Sequence, residues 1–262
     1  MLPPHHWHPD EGGYGDFTAT HRKKEHILPF QTELHCHTAT VSACAKGQPG
    51  EMAEHYIKLG YDAVVLTEHL SNATFKKSTL GDITDTPWDE KIDYYMQGYH
   101  ALRAAAGDRL TVIFGCELRR VDDGNDFLLY GIDEAFLRAH PDLHGYKIPD
   151  LRDAVHTAGG MLVQAHPFRN GRRIVDPALL DGIEVFNGGV SNENRNDIAA
   201  IWAERFGLLG TAGSDYHRVG GYNCLTGILT DTPIRCGADL VRHLRERSFT
   251  VADPLPPPEP RT

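Results

Sequence analysis

The sequence predicts an α/β protein whose strands close into a single parallel, closed or distorted barrel. Strand and helix patterns alternate about seven times, which is the signature of a parallel sheet with crossover helices. The strands are short, nearly continuous apolar runs of the kind buried on both faces. The length of 262 residues is a common size for one such barrel. No Gly-x-Gly-x-x-Gly motif follows the first strand, as an open dinucleotide-binding sheet would have it.

Taken in order, residues 1–28 are rich in Pro, His, Gly and charge and have no apolar period, so they form an extension, packed on the barrel or disordered. His5, His6 and His8 are solvated residues of that extension. The barrel occupies 29–250. Its first strand spans 30–37 and contains Glu33-Leu34-His35-Cys36-His37. Residues 49–59 form a helix with Met52, Tyr56 and Leu59 on one face, Glu51 in its first turn and Gly60 as its stop. The second strand, 62–67, ends in Thr67-Glu68-His69, and 70–87 is a loop. A helix over 88–106 leads to a strand over 110–117 that finishes in Glu117, and a strand over 125–130 carries Asp126 at its start. A helix over 148–158 stops at Gly159-Gly160, and the strand 161–166 ends in His166-Pro167. The strand 182–187, a helix over 192–206 and the strand 208–215 follow, with Tyr216-His217-Arg218 directly after. A short strand at 227–229 and a helix at 238–246 close the barrel, and 251–262 is a Pro-rich tail.

Composition narrows the function classes. No stretch reaches the roughly 18–20 apolar residues of a membrane span, and the N-terminus lacks the basic-then-apolar run of a secretory signal, so the expected setting is cytoplasmic. The formal net charge of −10 disfavours bulk nucleic-acid binding, which relies on Lys and Arg neutralising phosphates, but leaves room for a small phosphorylated substrate once cations are bound. Five scattered cysteines without a Cys-x-x-Cys argue against a disulfide framework or a zinc knuckle. The sequence sets no oligomeric state.

Successive strand side chains point to opposite faces, so His35 and His37 share a face and their rings can converge on one ion. In parallel barrels function sits at the C-terminal strand ends, and there the chain places His35, His37, His69, Glu117, His166, Asp215 and His217. A rim that gathers so many imidazoles and carboxylates calls for cations to share among them.

These residues carry a resemblance. His35-Cys36-His37, Thr67-Glu68-His69, the strand-terminal Glu117, His166-Pro167-Phe168-Arg169 and Ser214-Asp215-Tyr216-His217-Arg218 resemble, in order, the motifs of the polymerase and histidinol phosphatase (PHP) family over residues 30–230. The resemblance implies a distorted (β/α)7 TIM-like barrel with two or three divalent metal ions at its rim and phosphoester hydrolase activity through a metal-activated water. It implies that His35, His37, Glu117 and Asp215 hold one ion. Glu117 bridges to a second, shared with His166 and Asp126, where many members have His. His69 and His217 hold a third with a loop His or Asp. That loop, 38–45, has neither; Cys44 is either a thiolate ligand or a thiol packed in the loop. Glu68 faces away from His69 and orients its neighbours. Glu117, Asp215 and His217 are the expected catalytic residues. Mixed His and carboxylate ligation suits Mn, Fe or Zn without choosing among them. Arg169 and Arg218, each just beyond a ligand, are placed either to hold phosphate oxygens or to brace loops; Lys46, Arg119 and Arg120 are weaker candidates. The expected substrate is a small phosphomonoester. The alternatives are a phosphodiesterase or exonuclease-like hydrolase, and a non-catalytic metal-binding regulator.

Overall fold

The computed structural model describes residues 29–189, 192–221 and 223–255. The expected extension at 1–28, and the tail from 256, lie outside the described residues.

The elements run β1 (Phe30–Cys36), α1 (Pro49–Lys58), β2 (Ala63–Leu66), β3 (His69–Leu70), α2 (Asn72–Lys76), α3 (Trp88–Ala106) and β4 (Thr111–Arg119). Then come β5 (Asp126–Tyr130), α4 (Glu134–Ala139), α5 (Ile148–Thr157), β6 (Met161–Gln164), β7 (Gly182–Asn187), α6 (Asn196–Phe206), β8 (Leu209–Gly213), β9 (Ile228–Thr230), α7 (Gly237–Glu246) and β10 (Thr250–Val251). The strands join in the order β10-β9-β1-β2-β4-β5-β6-β7-β8, with β3 paired to β4.

Local chemistry accounts for the regular parts. Every residue of β2 is buried, as the unbroken Ala63-Val64-Val65-Leu66 run requires of a strand covered on both faces. α3 starts after Pro87, carries Asp89 and Glu90 in its first turn where the helix dipole favours acids, and buries Ile92, Tyr95, Leu102 and Ala106. One buried cluster gathers Leu34, Val65, Ile113, Leu128, Val163 and Leu209 from six strands together with Leu240, Val241 and Leu244 of α7. Six strands can contribute to one such cluster only if the sheet curls round on itself.

The ring closes where the chain leaves β1 and β8. His37 N–H donates to the Tyr216 carbonyl at 2.9 Å, Tyr216 N–H to the His35 carbonyl at 3.3 Å, and Cys36 and Tyr216 form a parallel bridge. The seam is therefore built from the motif residues themselves.

The sheet departs from a uniform parallel repeat at β5, which is antiparallel to both β4 and β6. The link between β4 and β5 is too short for a crossover and turns through Gly124 at φ +67°, so a hairpin is the available solution. Reversal has a consequence: the start of β5 lies beside the end of β4, with Asp126 opposite Arg119. An acid at a strand's N-terminal end thus reaches the same rim as acids at C-terminal ends. Helices connect β1 to β2, β2 to β4, β5 to β6 and β7 to β8, whereas only a 3-10 turn at Pro177–Leu179 separates β6 from β7. Three smaller differences also emerge. The 70–87 loop contains α2, capped by the Ser71 hydroxyl accepting from Thr74 N–H at 3.2 Å. α6 begins at Asn196 after Arg195 adopts φ +51°, not at 192. The stretch assigned to a tail from 251 begins as β10, antiparallel to β9, with Leu255 bridging Leu225. No helix among the described residues is long and apolar enough to cross a membrane.

Candidate metal centre

Glu117 stands at the middle of the rim. It lies opposite His69 in the β3–β4 register, and its Oε2 is 2.5 Å from His69 Nδ1 and 3.4 Å from His37 Nε2. Its Oε1 is 3.0 Å from His166 Nε2 and 3.5 Å from His35 Nε2. Asp215 Oδ1 is 3.3 Å from His37 Nε2 and 3.5 Å from His35 Nε2. Three groups of donor atoms result, each mutually within 4.8 Å: His35, His37 and Asp215; Glu117, Asp126 and His166; His37, His69 and His217. All eight sequence-predicted ligands are brought together.

Backbone geometry at this rim is unusual. His166 has φ +29° and Asp215 φ +51°, a region that non-glycine residues enter at a cost of about 1–3 kcal/mol each. Close packing imposes a second constraint, since a Cβ on Gly213 would come within 2.4 Å of His35 Cβ and 2.9 Å of Glu184 Oε1. Only glycine lets β8 approach β1 here.

Carboxylates and hydroxyls behind the rim fix the rings. Glu184 accepts from His35 Nδ1 at 2.9 Å, from His166 N–H at 2.9 Å and from Asn187 Nδ2 at 2.8 Å. A carboxylate can only accept from Nδ1–H, so His35 Nε2 is left to face the site. His217 is fixed likewise, Nδ1–H donating to the Asp215 carbonyl at 2.8 Å. Glu33 accepts from His35 N–H and Ser214 N–H at 2.9 Å each, and Glu68 accepts from the Thr38 and Ser42 hydroxyls. Burial pushes Glu33 and Glu68 up to about 7, against the downward pull of their hydroxyl partners.

Electrostatics show what the rim lacks. Burial would lower His35, but Glu184, Asp215 and Glu117 outweigh it and hold the imidazole well above its ordinary value. Burial would raise Glu117 and Asp215, yet the surrounding imidazoles hold both well below the carboxylate range. His37 goes the other way: burial, then the charges of His69 and His217, drive it well below. Meanwhile the buried Nε2 atoms of His35 and His37 make no hydrogen bond among the described residues. Such orphans cost about 1–3 kcal/mol each, and a divalent cation is a partner both can share with Asp215. The donor set fits metal ions.

The arginines separate. Arg169 lines the cavity, its guanidinium bonded to Asp215 Oδ2 at 2.7 Å, Asn194 Oδ1 at 2.8 Å and Asn187 Oδ1 at 3.0 Å. Arg218 is exposed and is not among the residues lining the cavity. Lys46 and Gly47 N–H both donate to the His217 carbonyl at 2.8 Å just before Arg218, whose side chain lies beside Gly221. Two residues take a larger part than expected. Arg119 grips Asp126 through Nε at 2.6 Å and Nη2 at 2.8 Å, and Arg172 reaches Asp126 Oδ2 at 2.6 Å. Arg120 lies away from the cavity, bonded to Asp122, Asp123 and the Tyr146 carbonyl. Cys44 is exposed and hydrogen-bonded to His217 and His69; desolvation would raise its thiol, but these imidazoles bring it down to about 6. Glu184, Glu33 and Arg172 were missed in the sequence. An acid inside the apolar run Gly182-Ile183-Glu184-Val185 was the available signal for Glu184, because a buried strand carboxylate needs donors.

The cavity over these groups holds about 290 Å³ and is walled by Arg119, Arg169, Asn192 and Asn223 as well as by the ligands. A second, of about 340 Å³, shares His69 and Arg119 with it and adds Cys44, Ser71, Thr74 and Lys77.

Comparison with known proteins agrees with this geometry. The family model described as "PHP domain" matches residues 33–207, and one described as "PHP-associated" matches 193–249. A 3',5'-nucleoside bisphosphate phosphatase of Chromobacterium violaceum is 34% identical over 125 residues, which are 43% of this chain and 43% of that protein. A 5'-3' exoribonuclease of Haemophilus influenzae is 35% identical over 79 residues, 27% of this chain and 28% of that protein. The chain thus spans less than half the length of these curated relatives. Among solved structures, a two-domain protein of Bacteroides vulgatus, described as containing a predicted PHP-like metal-dependent phosphoesterase, superposes with TM-score 0.61 at 18% identity, over 85% of this chain and 64% of that one. This last likeness concerns the fold.

Proposed function

Because this chain belongs to the PHP domain family, we propose that it is a metal-dependent phosphoesterase acting on a small phosphomonoester. The observation that carries the proposal is the convergence of three donor groups on Glu117 at the floor of a confined cavity with Arg169 in its wall. Divalent ions bound there would lower the pKa of a water from 15.7 toward about 7 and offset the charge of phosphoryl oxygens.

The chain's own residues hold and orient these participants. Glu117 lies near His69 through one oxygen and His166 through the other, so it would be a ligand available to ions in two of the donor groups. Asp215 and His217 follow β8, Asp215 beside His35 and His37 and His217 beside His69; with Glu117 they are the catalytic residues of the proposal. Arg169, anchored by two asparagines, presents a planar fork beside Asp215 where a phosphate oxygen would sit. Arg119 and Arg172 neutralise Asp126 from outside and keep it aimed inward. Manganese, iron and zinc all suit these ligands, and the number of ions, two or three, rests on how many of the groups fill. The five free cysteines accord with a cytoplasmic setting.

A phosphodiester is the second reading, favoured by the adjoining 340 Å³ cavity, which gives a second ester arm somewhere to lie. The experiment is a metal-supplemented assay of the whole chain on matched monoesters and diesters. Faster monoester turnover supports the proposal, faster diester turnover supports the second reading, and metal uptake without turnover on either would make the barrel a non-catalytic metal binder.

A further inference from the structure

β7 ends in a buried amide that faces two ways. Asn187 is 2% exposed and is not among the residues lining the cavity. Its Nδ2 donates to Glu184 Oε2 at 2.8 Å, and its Oδ1 accepts from Arg169 Nη2 at 3.0 Å, Gly189 N–H at 2.9 Å and Asn194 Nδ2 at 3.0 Å. A guanidinium can only donate, so the oxygen must face Arg169 and the nitrogen is turned to Glu184. Beyond each partner lies the rim: Glu184 accepts from His35 Nδ1 and His166 N–H, and Arg169 Nη2 also donates to Asp215 Oδ2. Three of the five guanidinium N–H groups are spent on Asn187, Asn194 and Asp215, which leaves the pair on Nη1. The main chain of Asn187 is fixed by another side chain, since Asn196 Oδ1 accepts from its N–H at 3.0 Å and Asn196 Nδ2 donates to its carbonyl at 3.1 Å. Holding the strand end thus falls to Asn196, and the Asn187 amide is left for the link.

We propose that Asn187 is a positioning residue for both halves of the site. Its one amide holds the Arg169 guanidinium where a phosphate would lie and, through Glu184, aims His35 and steadies the main chain of His166 at the ions. The inference rests on the metal-dependent phosphoesterase reading of the same rim and deepens it. An amide suits this place because it is neutral and carries a donor and an acceptor on one rigid plane; an ionised carboxylate cannot donate to Glu184, and an aliphatic side chain can neither donate nor accept. Its removal leaves Glu184 short of a donor and Arg169 short of an acceptor at once. Ion binding and phosphate binding should then fall together, by two routes that can be separated.

Mn(II) and inorganic phosphate are the probes, since neither needs turnover. The whole chain is stripped with chelator and titrated with Mn(II), and then with phosphate at saturating Mn(II). Asn187→Ala and Asn187→Leu, one leaving space and one filling it, should each lower Mn(II) affinity about 10- to 100-fold. Phosphate affinity at saturating Mn(II) should fall about 10-fold or more, as the loss of a charge-assisted contact does. With p-nitrophenyl phosphate as a monoester, that second loss should fall on KM and leave kcat near wild type. Double variants separate the routes: added to Arg169→Ala, Asn187→Ala should cost no further phosphate affinity, and added to Glu184→Gln it should cost little further Mn(II) affinity. Asn196→Ala, which loosens the same strand end, should keep both affinities near wild type. Additive losses in both double variants, or equal losses in Asn196→Ala, would make Asn187 only a brace of the turn. Wild-type affinities in both Asn187 variants would remove the link, while the metal-dependent reading stands. If the wild type itself takes up no Mn(II), that reading falls and this inference with it. Circular dichroism checks that the variants fold. Should neither Asn187 variant do so, Glu184→Gln tests the link with the amide in place: it should weaken phosphate binding at saturating Mn(II), and unchanged binding would overturn the inference.

Discussion

The two flanks of Glu117 meet the same difficulty, buried charge, by opposite means. On the β5–β6 flank, Asp126 is balanced by Arg119 and Arg172, permanent cations fixed by the hairpin and by the loop after His166. On the β1–β3 flank three imidazoles crowd together, and burial, then the charges of His69 and His217, drive His37 well below its ordinary value. The first flank carries its own cations; on the second, His37 is crowded by two other imidazoles and leaves its Nε2 without a hydrogen bond among the described residues. The difference teaches that metal dependence need not be uniform across one site: ions should matter more to the integrity of the imidazole flank than of the arginine flank.

The largest effect should come from the residue both flanks share. Glu117→Gln should abolish turnover and lower metal content on both sides while circular dichroism still reports a folded barrel, since Glu117 lies at the rim. Wild-type metal content in that variant would show that Glu117 bridges nothing. Next in size is the contact between strands: Gly213→Ala should destabilise the protein by about 1–3 kcal/mol through overpacking against His35 and Glu184, and displace the imidazole flank. A thermal melt with and without Mn measures it, and an unchanged melting temperature would count against the close approach.

Glu184→Gln sharpens the comparison further, because Glu184 orients both His35 and His166 and so touches each flank once. Loss of such a positioning group typically costs about 10- to 100-fold in metal affinity or activity. The expected result is that decrease in affinity, recovered in part at high metal concentration. Arg169→Ala should follow, with kcat/KM decreased about 10- to 100-fold for the loss of a charge-assisted hydrogen bond of about 1.5–3 kcal/mol. Arg169→Lys should restore only part of it, and metal content in both variants decides whether the loss passes through Asp215. The smallest effect belongs to Arg218→Ala, which should keep wild-type kinetics because that residue lies outside the cavity wall.

How much of this was legible depended on period. His35 and His37 stood out because strand side chains alternate, and Glu117, His166 and Asp215 because apolar runs ended in them. Asp126 was visible as an acid, but not the reason it reaches the rim. The reversal of β5 depends on the Asp122-Asp123-Gly124-Asn125 turn, whose signal is short and easily taken for an ordinary loop. The same limit hid Arg172, delivered by a loop whose path no period encodes, and left Arg218 open between a phosphate contact and a loop brace. β10 is two residues long and is held by pairing with β9, a contact no local pattern announces. Cys44 was left open between ligand and packed thiol because its neighbours His69 and His217 are distant in sequence.

The seam of the ring is built from Cys36 and Tyr216, and this bears on when the centre can exist at all. The donors run from residue 35 to residue 217, so during synthesis the first imidazoles leave the ribosome long before the last carboxylate that faces them. No fragment ending before β8 contains a complete pair of flanks. Early His35 and His37 lack the Asp215 carboxylate that completes their donor group until the strand ends knit together. Ion capture in this protein should therefore be an event of the finished chain, its rate set by ring closure and independent of how early the first motif appears.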